Sequence, residues 1–334
     1  MVRRGRPPLG PAVDGKEATR LSEAEELALA SRIATAFYLE EDSMVQIAER
    51  FGITRFQVAR LLQLARQSGI VTIEIRQPGA IDEELSAAVA AHLGIERAVV
   101  ISGVSRMPRE EIGRALAEVI AAEVQPGDIV GLTWSRTMVA MVQQLKQLEP
   151  CTLVQLAGQI TSELTAPGSV ELIRRAAEVA KGKAYPIYAP LLAPDNYVAH
   201  ALLQQRDIAT AMSFYERLSV AVISIGAWAE DASSVYEIAT ESERVRGQVA
   251  GVVGEISGRL YDVQGHTVPQ VIDDRVIGIT LEQLARVPRV IASSYGEERA
   301  AATRAAAAAS IFQTLVLDRS LARALLDGPG GAGV

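Results

Sequence analysis

The sequence predicts an α/β protein in two parts. An N-terminal all-α domain of winged or helix-turn-helix type is followed by a larger domain on a mostly parallel, Rossmann-like sheet. Three observations predict it. Gly52 stands between two capping boxes, Ser43 with Gln46 and Thr54 with Gln57, the punctuation of two helices joined by a tight turn. From residue 98 onward, short apolar runs alternate with helical segments, as in a parallel sheet covered on both faces. Between the two textures lies Gln77-Pro78-Gly79-Ala80, a break that marks the domain boundary.

The chain of 334 residues has room for one small and one large domain. Hydrophobic residues make up 49%, which excludes a disordered or fibrous class. No run approaches the ~20 uncharged apolar residues of a membrane helix. The arginines of Met1 to Pro11 have no apolar stretch behind them, so no secretory signal is expected. A single cysteine, Cys151, leaves no internal disulfide and fits a reducing compartment. His92, His200 and His266 lack metal-ligand spacing. A cytoplasmic protein is expected, with no membrane partner, no metal and no other cofactor. The net charge of −7 conceals a basic segment. Within 43–76, Arg50, Arg55, Arg60, Arg66 and Arg76 stand against Glu49 and Glu74, and phosphate attraction needs local charge only.

Taken in order, residues 1–20 are polar and rich in proline and glycine, and read as a disordered basic tail. Arg4-Gly5-Arg6-Pro7 could lie in a narrow minor groove, or remain a nonspecific tail. Residues 21–76 form the first domain. Leu27, Ala30, Ile33, Ala34 and Phe37 recur at helical spacing between Leu21 and Tyr38. Two short helices follow, sharing a core of Ile47, Phe51, Ile53, Val58 and Leu61, with Ala48 small where they cross. A β-rich tail, Ile70 to Ile75, closes the domain, and residues 77–82 are the linker.

In the second domain, 83–327, strands are expected at 98–102, 128–132, 152–157, 184–188, 220–225, 290–294 and 313–317. Helices are expected at 109–124, 136–148, 168–181, 241–250, 297–310 and 319–326. Gly328 to Gly333 matches G-x-G-x-x-G literally, but it follows the last helix and precedes nothing, so 328–334 is a flexible tail.

Laid on a helix, residues 55–67 separate into two faces. Val58, Leu61, Leu62 and Ala65 lie together, and Phe56, Ala59, Arg60, Gln63 and Gln67 lie opposite, with Arg55 and Arg66 on the flank. That outer face is composed for a major groove: arginine for guanine edges or phosphates, glutamine for adenine, phenylalanine and alanine for thymine methyls. The expected DNA-contacting set is Ser43, Gln46, Thr54, Arg55, Phe56, Gln57, Arg60 and Gln63. Phe56 could instead be buried against a neighbouring helix, and Gln57 could be held by its own cap.

The blocks ATAFY, IAERFGITRFQVARLLQLARQSGIVTIEI, VGLTWSRTM, VQLAGQI, YAPLLAP, VAVISIGAW, GEISGRLYDVQG, RVIGITLEQL and LVLDRSLARALL occur in this order over almost the whole chain. Together they resemble the SorC family of sugar-binding transcriptional regulators. The resemblance implies a large domain similar in fold to sugar-phosphate isomerases and deaminases, with catalysis replaced by effector sensing. It implies double-stranded operator DNA and a phosphorylated sugar or polyol as partners. A single reading helix covers too few base pairs for genomic selectivity, so a homodimer or homotetramer is also expected.

Open parallel sheets bind ligands at the carboxyl ends of their strands. There the run 128–132 leads into Thr133, Trp134, Ser135, Arg136 and Thr137, whose hydroxyls, helix start and arginine suit a phosphate. The bland alternative is an ordinary cap with a surface arginine. Gly158, Gln159 and Gly226 would let backbone approach a ligand closely. Glu255 could accept hydrogen bonds from sugar hydroxyls, and Asp262 is a second carboxylate candidate or a turn residue. Arg299 stands where the family usually has lysine and could clamp an anion; Ser135 stands where the family often has glycine. The rival is a sugar-phosphate enzyme fused to a DNA-binding domain, which would draft Glu255 or Asp262 as acid or base. No G-x-S-x-G, P-loop or H-E-x-x-H motif supports it.

Overall fold

Ser43 and Thr54 each start a helix by accepting a backbone N–H three residues on, and Gly52 between them turns the chain at φ +65°. In this computed structural model the described residues are 23–71, 81–102, 108–160 and 168–328. The basic tail 1–20, the end of the β-rich segment (Thr72–Ile75), the linker up to residue 80, and residues 329–334 lie outside them. The chain divides into two units, Met1–Ile75 and Arg76–Val334.

The first unit contains α1 (Glu23–Tyr38), α2 (Met44–Phe51) and α3 (Arg55–Gln67). Ile33, Ile47, Val58, Leu61, Leu62 and Ala65 form its buried core. Val58, Leu61, Leu62 and Ala65 fall on one stripe of α3 because side chains three and four apart share a face.

The second unit begins with α4 (Glu83–Leu93), β1 (Arg97–Ile101), α5 (Pro108–Glu123), β2 (Ile129–Leu132) and α6 (Arg136–Gln144). It continues through β3 (Thr152–Gln155), α7 (Ser169–Val179), β4 (Ala184–Tyr185), α8 (Asn196–Leu203), α9 (Arg206–Met212) and β5 (Val220–Ser224). Then come β6 (Gly226–Ala227), α10 (Ser234–Ile238), α11 (Glu241–Val249), β7 (Val252–Ile256) and β8 (Arg259–Asp262). It closes with α12 (Leu281–Leu284), β9 (Arg289–Ser294), α13 (Ala300–Ala308), β10 (Thr314–Asp318) and α14 (Arg319–Leu326).

Seven strands form one sheet in the order β1-β10-β9-β5-β2-β3-β4, every pair parallel. They fall on the seven apolar runs of the sequence, with ends shifted by a few residues. Strand β5 shows why both faces are covered: Val220 and Val222 enter one core, Ala221 and Ile223 the other. The first core packs under α5, α6 and α7, the second under α4, α13 and α14.

The structure departs from the sequence reading at several elements, since α8, α9, α10, α12 and the strands β6, β7 and β8 were not expected. Helix α6 stops at Gln144, short of the expected residue 148, and α13 is preceded by a 3₁₀ turn at Glu297–Arg299. Strands β6, β7 and β8 form a separate antiparallel sheet. Its β7–β8 hairpin turns through Ser257 (φ +56°) and Gly258 (φ +82°), both left-handed as a two-residue hairpin requires.

Candidate functional site

A cleft of about 740 Å³, counted to its open mouth, lies at the carboxyl ends of β2, β5 and β9. Its first wall is the segment after β2. The Thr133 N–H donates to the Val222 carbonyl at 3.1 Å, extending the sheet by one bond. Ser135 then caps α6, its Oγ accepting the Met138 N–H at 3.1 Å. The Ser135 hydroxyl also lies 2.8 Å from that of Ser224, which lies 3.1 Å from that of Ser293. Three hydroxyls from neighbouring strand ends thus form one chain across the floor. Thr133 is only 3% exposed, and its Oγ1 has no hydrogen-bond partner among the described residues. A buried hydroxyl left unpaired costs roughly 1–3 kcal/mol, so its retention here needs a reason.

The second wall is built by the small sheet and α10. Gly226 of β6 pairs in register with Glu255 of β7. The Glu255 carboxyl is 8% exposed, accepting the Ser233 hydroxyl on Oε1 at 2.9 Å and the Gly258 N–H on Oε2 at 3.1 Å. Burial raises its pKa above the ordinary carboxyl range, opposed by those two hydrogen bonds and by the charge of Arg299. Ser257 also lines this wall, and its Oγ is buried without a partner among the described residues.

Arg299 lines the cleft from a buried position, with its guanidinium 4.7 Å over the Tyr295 ring. It donates to the Tyr295 carbonyl at 2.7 Å and the Asp231 carbonyl at 3.2 Å, and pairs with Glu298. It therefore ties the loop after β9 to the loop after β6.

Of the residues expected from sequence, Thr133, Trp134, Ser135, Arg136, Thr137, Gly158, Gly226, Glu255 and Arg299 all line this cleft. Gln159 and Asp262 do not. Gln159 has its N–H and carbonyl engaged by Ala189 and Leu191. Asp262 closes a turn, its Oδ1 accepting the N–H groups of Gln264 and His266 at 2.9 Å each. The two glycines have a different reason from the one expected. A Cβ on Gly226 would sit 2.4 Å from Glu255 Oε1, and one on Gly158 would sit 2.3 Å from the Pro190 carbonyl oxygen. The protein's own groups occupy the space that a side chain would need. Sequence reasoning missed Ser224, Ser233, Ser257, Ser293 and Tyr295, although Ser224 and Ser293 each stand at the end of an apolar run.

In the first unit, Ser43, Gln46, Thr54 and Gln57 form the two capping boxes. The Gln46 and Gln57 Oε1 atoms accept the backbone N–H of Ser43 at 2.9 Å and of Thr54 at 2.8 Å. Phe56 is 89% exposed, so it is no core residue, and Arg55 and Gln63 are exposed beside it on α3. Arg60 pairs with Glu26 of α1 while its side chain stays 66% exposed. An exposed pair of this kind is worth only about 0.2–1 kcal/mol and exchanges readily for another anion.

A helix-turn-helix unit joined to a Rossmann-like domain with a polar cleft at its strand ends defines a transcriptional regulator with a sensing domain. Residues 80–327 match the family model described as "Putative sugar-binding domain", and the chain belongs to that family. It is 27% identical over 313 residues to the deoxyribonucleoside regulator of Bacillus subtilis, covering 91% of this chain and 98% of that one. It is 26% identical over 314 residues to the sorbitol operon regulator of Klebsiella pneumoniae, covering 92% and 100%. The crystal structure of full-length SorC from Klebsiella pneumoniae is similar with a TM-score of 0.68 at 25% identity, covering 90% of this chain and 99% of that one.

Proposed function

We propose that this sugar-responsive transcriptional regulator reads double-stranded operator DNA with residues 21–76 and senses a phosphorylated sugar or polyol with residues 83–327, the segment 77–82 joining them. On α3, Arg55, Phe56, Arg60 and Gln63 face the bases, and the caps at Ser43 and Thr54 bring backbone N–H groups to the phosphates. In the cleft, the phosphate sits at Thr133–Thr137 over the start of α6, and Glu255 with Ser257 meets the sugar hydroxyls. The observation that carries this reading is the buried Thr133 hydroxyl, without a partner among the described residues, beside the Ser135 cap. A phosphate oxygen would supply the missing partner.

The protein acts in the cytoplasm as a homodimer or homotetramer on an inverted repeat, without turnover of its effector. Among the described residues no helix is long and apolar enough to cross a membrane. Ser233 and Gly258 hold the Glu255 carboxyl in one orientation, which suits a fixed acceptor for a ligand's hydroxyls. The effector acts by binding one arrangement of the oligomer better than the other.

A thermal-shift screen of phosphorylated sugars and polyols tests the proposal, followed by operator-binding titrations with each hit. A ligand at 100 times its Kd should stabilise the sensing domain by ~2.7 kcal/mol and shift operator affinity. Operator affinity indifferent to every compound that binds would refute sensing, and turnover of a sugar phosphate would mark an enzyme.

A further inference from the structure

We propose that the cleft selects an effector with a single anionic end, and that Glu255 is the specificity-determining residue that turns away a second phosphate or a carboxylate. The proposal rests on the phosphate reading of the Thr133–Thr137 segment given above. It adds what the opposite wall accepts.

The two walls belong to one cleft and are joined by short bonded steps. Ser135 of the first wall meets Ser224, and two residues beyond Ser224 stands Gly226, paired in register with Glu255. Positive charge is gathered on the first wall, where Arg136 opens α6 and the helix N-terminus adds its partial charge. The other cation lining the cleft among the described residues is Arg299, and its guanidinium is engaged by Glu298 and by the carbonyls of Tyr295 and Asp231. A second anion near Glu255 would therefore meet a carboxyl and no unengaged guanidinium among the described lining residues.

That carboxyl is held in place by Ser233 and Gly258, and its Oε1 fills the space a side chain on Gly226 would need. Its burial, which raises the pKa of this carboxyl, leaves negative charge poorly solvated there. Neutral hydroxyls, by contrast, find suitable partners. Ser257 offers a buried hydroxyl without a partner among the described residues, and the Glu255 oxygens retain lone pairs. The wall is complementary to the uncharged end of a sugar or polyol and hostile to an anion.

The test measures Kd by calorimetry on the full chain with matched pairs of equal carbon count. The pairs are glucose 6-phosphate with 6-phosphogluconate, fructose 6-phosphate with fructose 1,6-bisphosphate, and ribose 5-phosphate with ribose 1,5-bisphosphate. In the wild type, the singly anionic member of any pair that binds should be tighter by roughly tenfold or more. Glu255→Gln should shrink that ratio to about threefold or less, mainly by improving the doubly anionic member. The amide matches the carboxyl in shape; with its oxygen towards the Ser233 hydroxyl it keeps that bond and gives up the one from the Gly258 N–H. Wild-type ratios near or below unity overturn the proposal without recourse to the variant, and a ratio unchanged in a folded Glu255→Gln protein overturns the role of Glu255. Binding of no phosphorylated compound, including inorganic phosphate, overturns the phosphate reading itself and this proposal with it.

Discussion

Replacing Thr133 by valine removes one buried oxygen and leaves the shape of the side chain nearly unchanged. The consequences for the empty and the occupied protein have opposite sign. In the empty protein the hydroxyl has no partner among the described residues, and such a group costs about 1–3 kcal/mol of stability. Its removal relieves part of that cost. The backbone bond from Thr133 to Val222 stays in place, and a β-branched residue suits the extended strand end. A gain of order 1 kcal/mol raises Tm by about 2–4 °C for a domain of this size. In the occupied protein the same oxygen donates to a charged phosphate, a bond worth about 1.5–3 kcal/mol. Its loss should weaken effector binding roughly ten- to 150-fold. Differential scanning calorimetry without ligand and titration calorimetry with the screened phosphate ester read the two effects separately. A lower Tm would mean that the hydroxyl is satisfied within the protein, and an unchanged Kd would mean that the phosphate lies elsewhere. Either result refutes the reasoning.

Two further outcomes are expected. Arg55→Ala and Arg60→Ala should each weaken operator binding by about 1–3 kcal/mol in a fluorescence-anisotropy titration, with effector affinity unchanged and stability lowered only in the second, by the loss of the Arg60–Glu26 pair at about 0.2–1 kcal/mol; unaltered operator affinity in both would remove them from the DNA interface. Glu255→Gln should become more stable relative to the wild type as pH rises. The folded carboxyl has a raised pKa, so its favourable contribution is present below the unfolded value and is lost as pH rises through the folded one. Urea midpoints near pH 5 and near pH 8 should show the gap widening, and a gap constant with pH would refute the assignment.

The sheet was legible because its inner strands are buried on both faces and read as short apolar runs. Val220-Ala221-Val222-Ile223 leaves no polar residue to confuse the pattern. The helix-turn-helix was legible for a different reason: both capping boxes and the turn glycine are contiguous in sequence, so the local chemistry is complete within a short window. The small antiparallel sheet carried no such signal. Strand β6 has two residues, and β7 carries an irregularity between Val252 and Gly254 that breaks its alternation. Helices α8 and α9 are short and expose much of their surface, Tyr197 above all, so they show little apolar periodicity. Tertiary packing, and not propensity, settles such segments.

The site was legible only where it is local. Thr133 to Thr137 is one continuous run after a strand, and its residues line one wall of the cleft together. Ser224 and Ser293 are 89 and 158 positions from Ser135, and a lone serine after an apolar run reads as a strand end. What joins them is the strand order, which places β5 between β2 and β9 although those strands are far apart in the chain. The register then sets Ser224 opposite Ser293, and the cap at Ser135 turns its hydroxyl back to Ser224. The glycines teach the complementary lesson. Gly226 reads as a place for a ligand to come close, yet the group that comes close is the carboxyl of Glu255 from a strand that the apolar pattern did not reveal. A residue's type can state that something must approach it, but only topology decides what does.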